Sequence, residues 1–134
     1  DKDNTTSIHV RRGDFLRKTQ FHPVQETDYY KKAVSIIKTK NYLVFSDDIE
    51  WCKQVFGKNK GVYFSENENP FVDLCSMSMC ANNITVNSSF SWWAAWLNLN
   101  NKKQIIAPVN WFGLEGKNQG YSDRDIVPKS WIKI

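Results

Sequence analysis

The chain has 134 residues, of which 41% are hydrophobic, 14% aromatic and 24% charged, and its net charge is +4. This is the composition of one globular domain with a real core, and it excludes a disordered or fibrous polymer. No apolar run reaches the length of a membrane span and no signal peptide leads the sequence, so a soluble protein is expected. The positive excess is spread over Lys31, Lys32, Lys38, Lys40, Lys58, Lys60, Lys102 and Lys103. Such scatter is a solvated surface rather than the basic stripe of a nucleic-acid binder, and no nucleic-acid partner is expected. Cys52, Cys75 and Cys80 form neither an even disulfide set nor a paired zinc spacing, which fits a reducing compartment.

In chain order, Ser7-Ile8-His9-Val10 alternates small or polar with β-branched residues and predicts a strand, broken at Gly13. A helix follows over about Thr27 to Lys38, with Tyr30, Ala33, Val34 and Ile37 on one face and Lys31, Lys32, Ser35 and Lys38 on the other. Tyr42–Phe45 is the second strand; a helix starting at Asp47 or Asp48 then buries Ile49, Cys52, Val55 and Phe56 before Gly57 stops it. Gly61–Phe64 is the third strand. Asn69 caps a third helix with Pro70 at its first position, and Phe71, Leu74, Cys75 and Met79 form its buried side. Ile84–Val86 is the fourth strand. The helix after it opens at Ser88 or Ser89 and carries Trp92, Trp93, Trp96 and Leu97 at helical spacing, which reads as core rather than as a platform for sugar rings. Gln104–Ala107 is the fifth strand, and beyond Pro108 the glycines Gly113, Gly116 and Gly120 predict irregular structure packed by Trp111, Phe112 and Trp131. Strands alternating with helices predict an α/β fold: a Rossmann-like parallel sheet flanked by helices, in a single domain over residues 1–134.

The strand ends of such a sheet are where ligands bind. Arg11 and Arg12 place fixed positive charge at the end of the first strand, and a planar guanidinium matches phosphate oxygens two at a time, so a diphosphate is the predicted anion. Ser88 and Ser89 open a helix directly after a strand, where hydroxyls, free N–H groups and the helix dipole favour an anion; plain N-capping is the alternative. Asp47 and Asp48 follow the second strand and also fit a cap. Asp73 suits either the dipole of its helix or the paired N–H donors of a guanine edge. Asp123-Arg124-Asp125 has carboxylates for a divalent cation, but it falls in the polar tail rather than at a strand end, and no metal is assigned to it.

Three blocks in order, His9-Val10-Arg11-Arg12-Gly13-Asp14, Val44-Phe45-Ser46-Asp47-Asp48-Ile49-Glu50-Trp51 and Asn87-Ser88-Ser89-Phe90-Ser91-Trp92-Trp93-Ala94-Ala95-Trp96-Leu97, resemble the α-1,2-fucosyltransferases, glycosyltransferase family 11. The likeness spans most of the chain and departs at Ala94, where that family usually has glycine. It implies the nucleotide-binding half of a two-domain GT-B glycosyltransferase, which moves fucose from GDP-fucose with inversion to O2 of a galactose-containing glycan acceptor, as in glycan or O-antigen biosynthesis. It also implies that Arg11 clamps the diphosphate with Arg12 as second choice, that His9 lies against the nucleotide, that Ser88 and Ser89 bind phosphate, and that Asp73 takes the guanine. Alternation along a strand lets only one of the two arginines face the crevice. Arg11 then acts in catalysis by binding the departing charge, and Asp14 or Asp47 is the candidate base for the acceptor hydroxyl. The implied enzyme works without metal or other cofactor, is completed by an N-terminal acceptor domain, and resides in the cytoplasm or peripherally at the inner face of the membrane. The rival reading, from another class, is a non-catalytic nucleotide- or glycan-binding module.

Overall fold

Strand β1 (Thr5–Val10) sends Ile8 and Val10 to one face of the sheet and Ser7 and His9 to the other, as the two-residue period of a strand requires. Its neighbour β2 (Asn41–Ser46) does the same with Val44 on the first face and Leu43 and Phe45 on the second. A computed structural model describes residues 2–134. With β3 (Val62–Phe64), β4 (Asn82–Ile84), β5 (Ile105–Ala107) and β6 (Ile132–Lys133) these strands form one sheet in the order β3-β2-β1-β4-β5-β6, every pair parallel. The expected parallel α/β sheet is therefore present.

Parallel neighbours need crossovers, and helices supply them. Helices α1 (Thr27–Ile36) and α2 (Ile49–Phe56) cover the face where Ile8, Val10, Val44, Ile84, Val86 and Ile106 are buried against Tyr30, Ala33, Ile37 and Cys52. The expected apolar stripe of α1 is the one that packs. Helices α3 (Pro70–Ser78) and α4 (Ser89–Trp96) lie on the other face, where Phe45, Met77 and Ala94 are buried with Leu43, Leu74 and Phe90 against them. Ala94 thus fills space in this cluster. A further core of Ala95, Ile105, Ala107, Val127 and Trp131 extends the sheet towards β6.

Several expectations are corrected. Phe71, Cys75 and Met79 of α3 are exposed, with Phe71 at 78%, and the buried residue is Met77. The reason is that α3 packs on both α4 and the sheet, which turns the Leu74–Met77 edge inward. Trp92 is half-buried in the core near β5, whereas Trp93, Trp96 and Leu97 face outward, with Trp96 stacked on Trp92 at 5.2 Å. Strand β4 begins two residues before the expected Ile84, because Asn83 is buried: its amide donates to Ser7 Oγ at 2.7 Å and to the Met77 carbonyl, and its own oxygen accepts from Asn98. The region after Pro108 is not wholly irregular, since it holds α5 (Leu114–Asn118) and β6.

Candidate functional site

The strand order reverses between β1 and β4, and open α/β sheets bind ligands outside the carboxyl ends of the strands at such a point. A cleft of about 420 Å³ opens beside it, with His9, Arg11, Phe45, Ser46 and Asp47 from the ends of β1 and β2 and with Asn67, Glu68, Pro70, Asp73 and Phe90 as walls. Arg11 is the one fixed cation among these lining residues. His9 is buried, its ring 5.6 Å from that of Phe90, and its Nδ1 has no hydrogen-bond partner among the described residues. Burial first, and the Arg11 charge second, pull the His9 pKa down to about 3, so the ring is neutral at working pH.

The two arginines part company. Arg11 lines the cleft and pairs with Asp14 at 2.8 Å and with Asp47 at 3.3 Å. Arg12, one residue on, points to the opposite face, where its guanidinium sits 4.0 Å from the centroid of the Trp51 ring and 3.3 Å from Asp48. Asp48 is the N-cap of α2, accepting from the Trp51 amide at 3.2 Å, so Arg12 belongs to the packing of that helix rather than to the cleft. Asp47 does not cap; its Oδ1 accepts the backbone N–H of Arg12 at 2.9 Å. Asp14, two-thirds exposed, stands at the rim on Arg11.

Asp73 sits in the first turn of α3 and accepts from Ser65 Oγ at 2.7 Å, leaving its second oxygen without a partner among the described residues. The first turn of α4 contributes Phe90 to the cleft wall. Ser88 is the N-cap in extended conformation, yet its side chain makes no capping bond, in contrast to Asp48 on α2 and Asn69 on α3. The N–H groups of the first turn of α4 therefore donate no bond to the Ser88 side chain. Ser88 is half-buried and Ser89 exposed. The structure thus gathers His9, Arg11, Asp47 and Asp73 in one cleft, sets Asp14 against Arg11, turns Arg12 away, and leaves Ser88 and Ser89 outside the residues that line the cleft, next in sequence to its wall residue Phe90.

Sequence reasoning missed Phe45, Ser46, Asn67, Glu68, Pro70 and Phe90 as cleft walls, and the Arg12–Trp51 stack. Ser46 was within reach of the same argument as Asp47, being the last residue of β2; Asn67 and Glu68 are loop residues with no local signal. Away from the cleft, Asp123 accepts the Trp111 N–H at 3.3 Å and lies 3.7 Å from Lys117, ordering the segment after β5.

The family model described as Glycosyl transferase family 11 matches residues 2–134. An O-antigen biosynthesis glycosyltransferase (WbnK) of Escherichia coli is 39% identical over 141 residues, covering 98% of this chain and 45% of that protein. An alpha-1,2-colitosyltransferase of Escherichia coli is 36% identical over 142 residues, 98% of this chain and 48% of that protein. Galactoside alpha-(1,2)-fucosyltransferase 1 of Saimiri boliviensis boliviensis is 29% identical over 104 residues, 67% of this chain and 28% of that protein. The chain spans less than half the length of these relatives. A family match that runs the whole described length means that this protein belongs to glycosyltransferase family 11.

Proposed function

We propose that the cleft binds the nucleotide of a sugar donor, GDP-fucose, and that the chain is the donor-binding part of an enzyme making an α-1,2 linkage to a galactoside. The observation that carries this reading is the placement of Arg11, the cleft's fixed cation, at the switch point beside the uncapped start of α4. Both features favour an anion with more than one phosphate. Asp73, with one oxygen engaged by Ser65 and one unengaged, suits the paired N–H donors of guanine, and neutral His9 and Phe90 offer flat surface rather than charge.

The chemistry follows from charge. Cleaving the fucose–phosphate bond develops an oxocarbenium-like sugar and an extra negative charge on the leaving diphosphate. Arg11 and the α4 N–H groups hold that charge more strongly in the transition state than in the bound donor, which lowers the barrier. The acceptor hydroxyl attacks from the opposite face and loses its proton to a base, for which Asp14 is at the rim. Neither Arg11 nor α4 requires a cation to neutralise the diphosphate, so the reading is of a metal-free site. The relatives are long enough for a second domain, to which we assign the acceptor. Their names give two transferred sugars, colitose and fucose, with the α-1,2 linkage in common.

Calorimetric titration of the chain with GDP, GMP and UDP tests the reading. GDP should bind, GMP more weakly and UDP not at all. Binding of a galactoside with no affinity for any nucleotide would replace it with a glycan-binding module, for which the outward-facing Trp93 and Trp96 would be the contact surface.

A further inference from the structure

Asp73 lines the cleft from the first turn of α3, and what holds its carboxylate comes from another element. Ser65, the first residue beyond β3, donates its hydroxyl to Asp73 Oδ1 at 2.7 Å, the one side-chain hydrogen bond that this carboxylate makes among the described residues. Ser65 is itself fixed. Its backbone N–H donates to the Val44 carbonyl at 2.8 Å, which carries the β2–β3 pairing one residue past the end of the strand. Both residues are half-buried, and Ser65 is not among the residues that line the cleft. Any effect it has on a ligand there passes through Asp73. The segment between the two is braced by other bonds: Asn67 Oδ1 accepts the Asn69 N–H at 3.1 Å, and Asn69 Oδ1 accepts the Phe71 N–H at 3.0 Å as the cap of α3. The helix start therefore does not depend on the Ser65 hydroxyl.

We propose that Ser65 is a positioning residue for Asp73 and so sets the base selectivity of the cleft: it fixes the rotation of the carboxylate, so that both oxygens meet the paired N–H donors of a guanine edge together. The inference rests on the donor reading above. An ionised carboxylate offers about four lone-pair positions. Ser65 fills one of them on Oδ1, which leaves room on both oxygens for the N1–H and the 2-amino group of guanine. Without the hydroxyl the carboxylate turns more freely, and ordering it on binding costs affinity for the base that needs both oxygens. The phosphate contacts are untouched, because Arg11 reaches the cleft from the end of β1.

Calorimetric titration of the 134-residue chain with GDP and IDP tests this, since the two nucleotides carry the same diphosphate and IDP lacks only the 2-amino donor. GDP should bind the unmodified chain about tenfold more tightly than IDP. Ser65→Ala should bring that ratio to about twofold or less, chiefly by weakening GDP, with the amide spectrum of the folded chain retained. Ser65→Thr, which keeps a hydroxyl on Cβ, should retain the ratio. A role in the fold alone would weaken both nucleotides alike. A ratio unmoved by Ser65→Ala, a ratio lost as fully in Ser65→Thr, or equal affinities for GDP and IDP in the unmodified chain overturns the positioning role while GDP binding itself stands. An unmodified chain with no affinity for GDP would instead remove the donor reading, and this inference with it.

Discussion

Arg11 and Arg12 are adjacent, yet strand alternation sends one to the cleft and the other onto Trp51. The rule that only one could face the crevice was legible in the sequence. Which one was not, because it depends on the face that α3 covers. Arg11→Ala should cost about 2–3 kcal/mol in GDP binding, as expected for a charge-assisted contact to phosphate, with no loss of fold. Arg12→Ala should do the reverse, lowering stability in urea by about 1–2 kcal/mol through the lost aromatic stack and leaving GDP affinity nearly unchanged. Equal effects of the two variants on GDP affinity would remove the distinction. His9 supplies a pH test. Its folded pKa of about 3 lies below the ordinary 6.5, so the unfolded chain binds the extra proton; this contribution to stability is complete above 6.5 and is lost as pH falls towards 3. The slope reaches up to about 1.4 kcal/mol per pH unit. Denaturant midpoints at pH 7 and pH 5 should therefore differ less in His9→Gln than in the unchanged chain; an unaltered difference would place the acid sensitivity elsewhere.

Among the elements, those with a strong period or a cap were readable before any coordinates: α1 by its apolar stripe, α2 by Asp48, and α3 by the Asn69-Pro70 start. The face of α3 was not, because Phe71, Val72, Leu74, Cys75, Met77 and Met79 supply apolar residues nearly all round, and only contact with α4 and β2 selects Leu74 and Met77. Strand β6 is two residues long and α5 five with a glycine inside, too short for periodicity to mark. The placement of Asp73 on the first turn of α3, facing the cleft, sets up a base-selectivity test. Asp73→Ala should bring GDP affinity down towards that for ADP, since adenine offers a carboxylate no matching pair of donors. If calorimetry shows both nucleotides weakened alike, Asp73 serves only its bond to Ser65.

At the scale of the molecule, the β3-β2-β1-β4-β5-β6 order puts the cleft and the uncapped end of α4 on either side of one sheet reversal, and α1 and α2 have no part in it beyond holding β1 and β2. Alternating strands and helices announced a parallel sheet, but the strand order, and with it the neighbourhood of Arg11 and Ser88, is set by long-range packing that no local pattern carries. Because the positive charge comes from Arg11 and the helix start, GDP affinity should be unchanged in excess EDTA, and a tenfold loss on chelation would show that a cation takes part. The central claim, that Arg11 and the first turn of α4 share one diphosphate, is tested most directly by following the amide and Arg11 Nε resonances of the chain during a GDP titration. The account predicts that Arg11 Nε and the amides of Ser89, Phe90 and Ser91 shift together along one binding curve, with Asp73 moving on the same curve. Saturable GDP binding that leaves Arg11 and these amides unmoved, and shifts the segment between α1 and α2 instead, would contradict it.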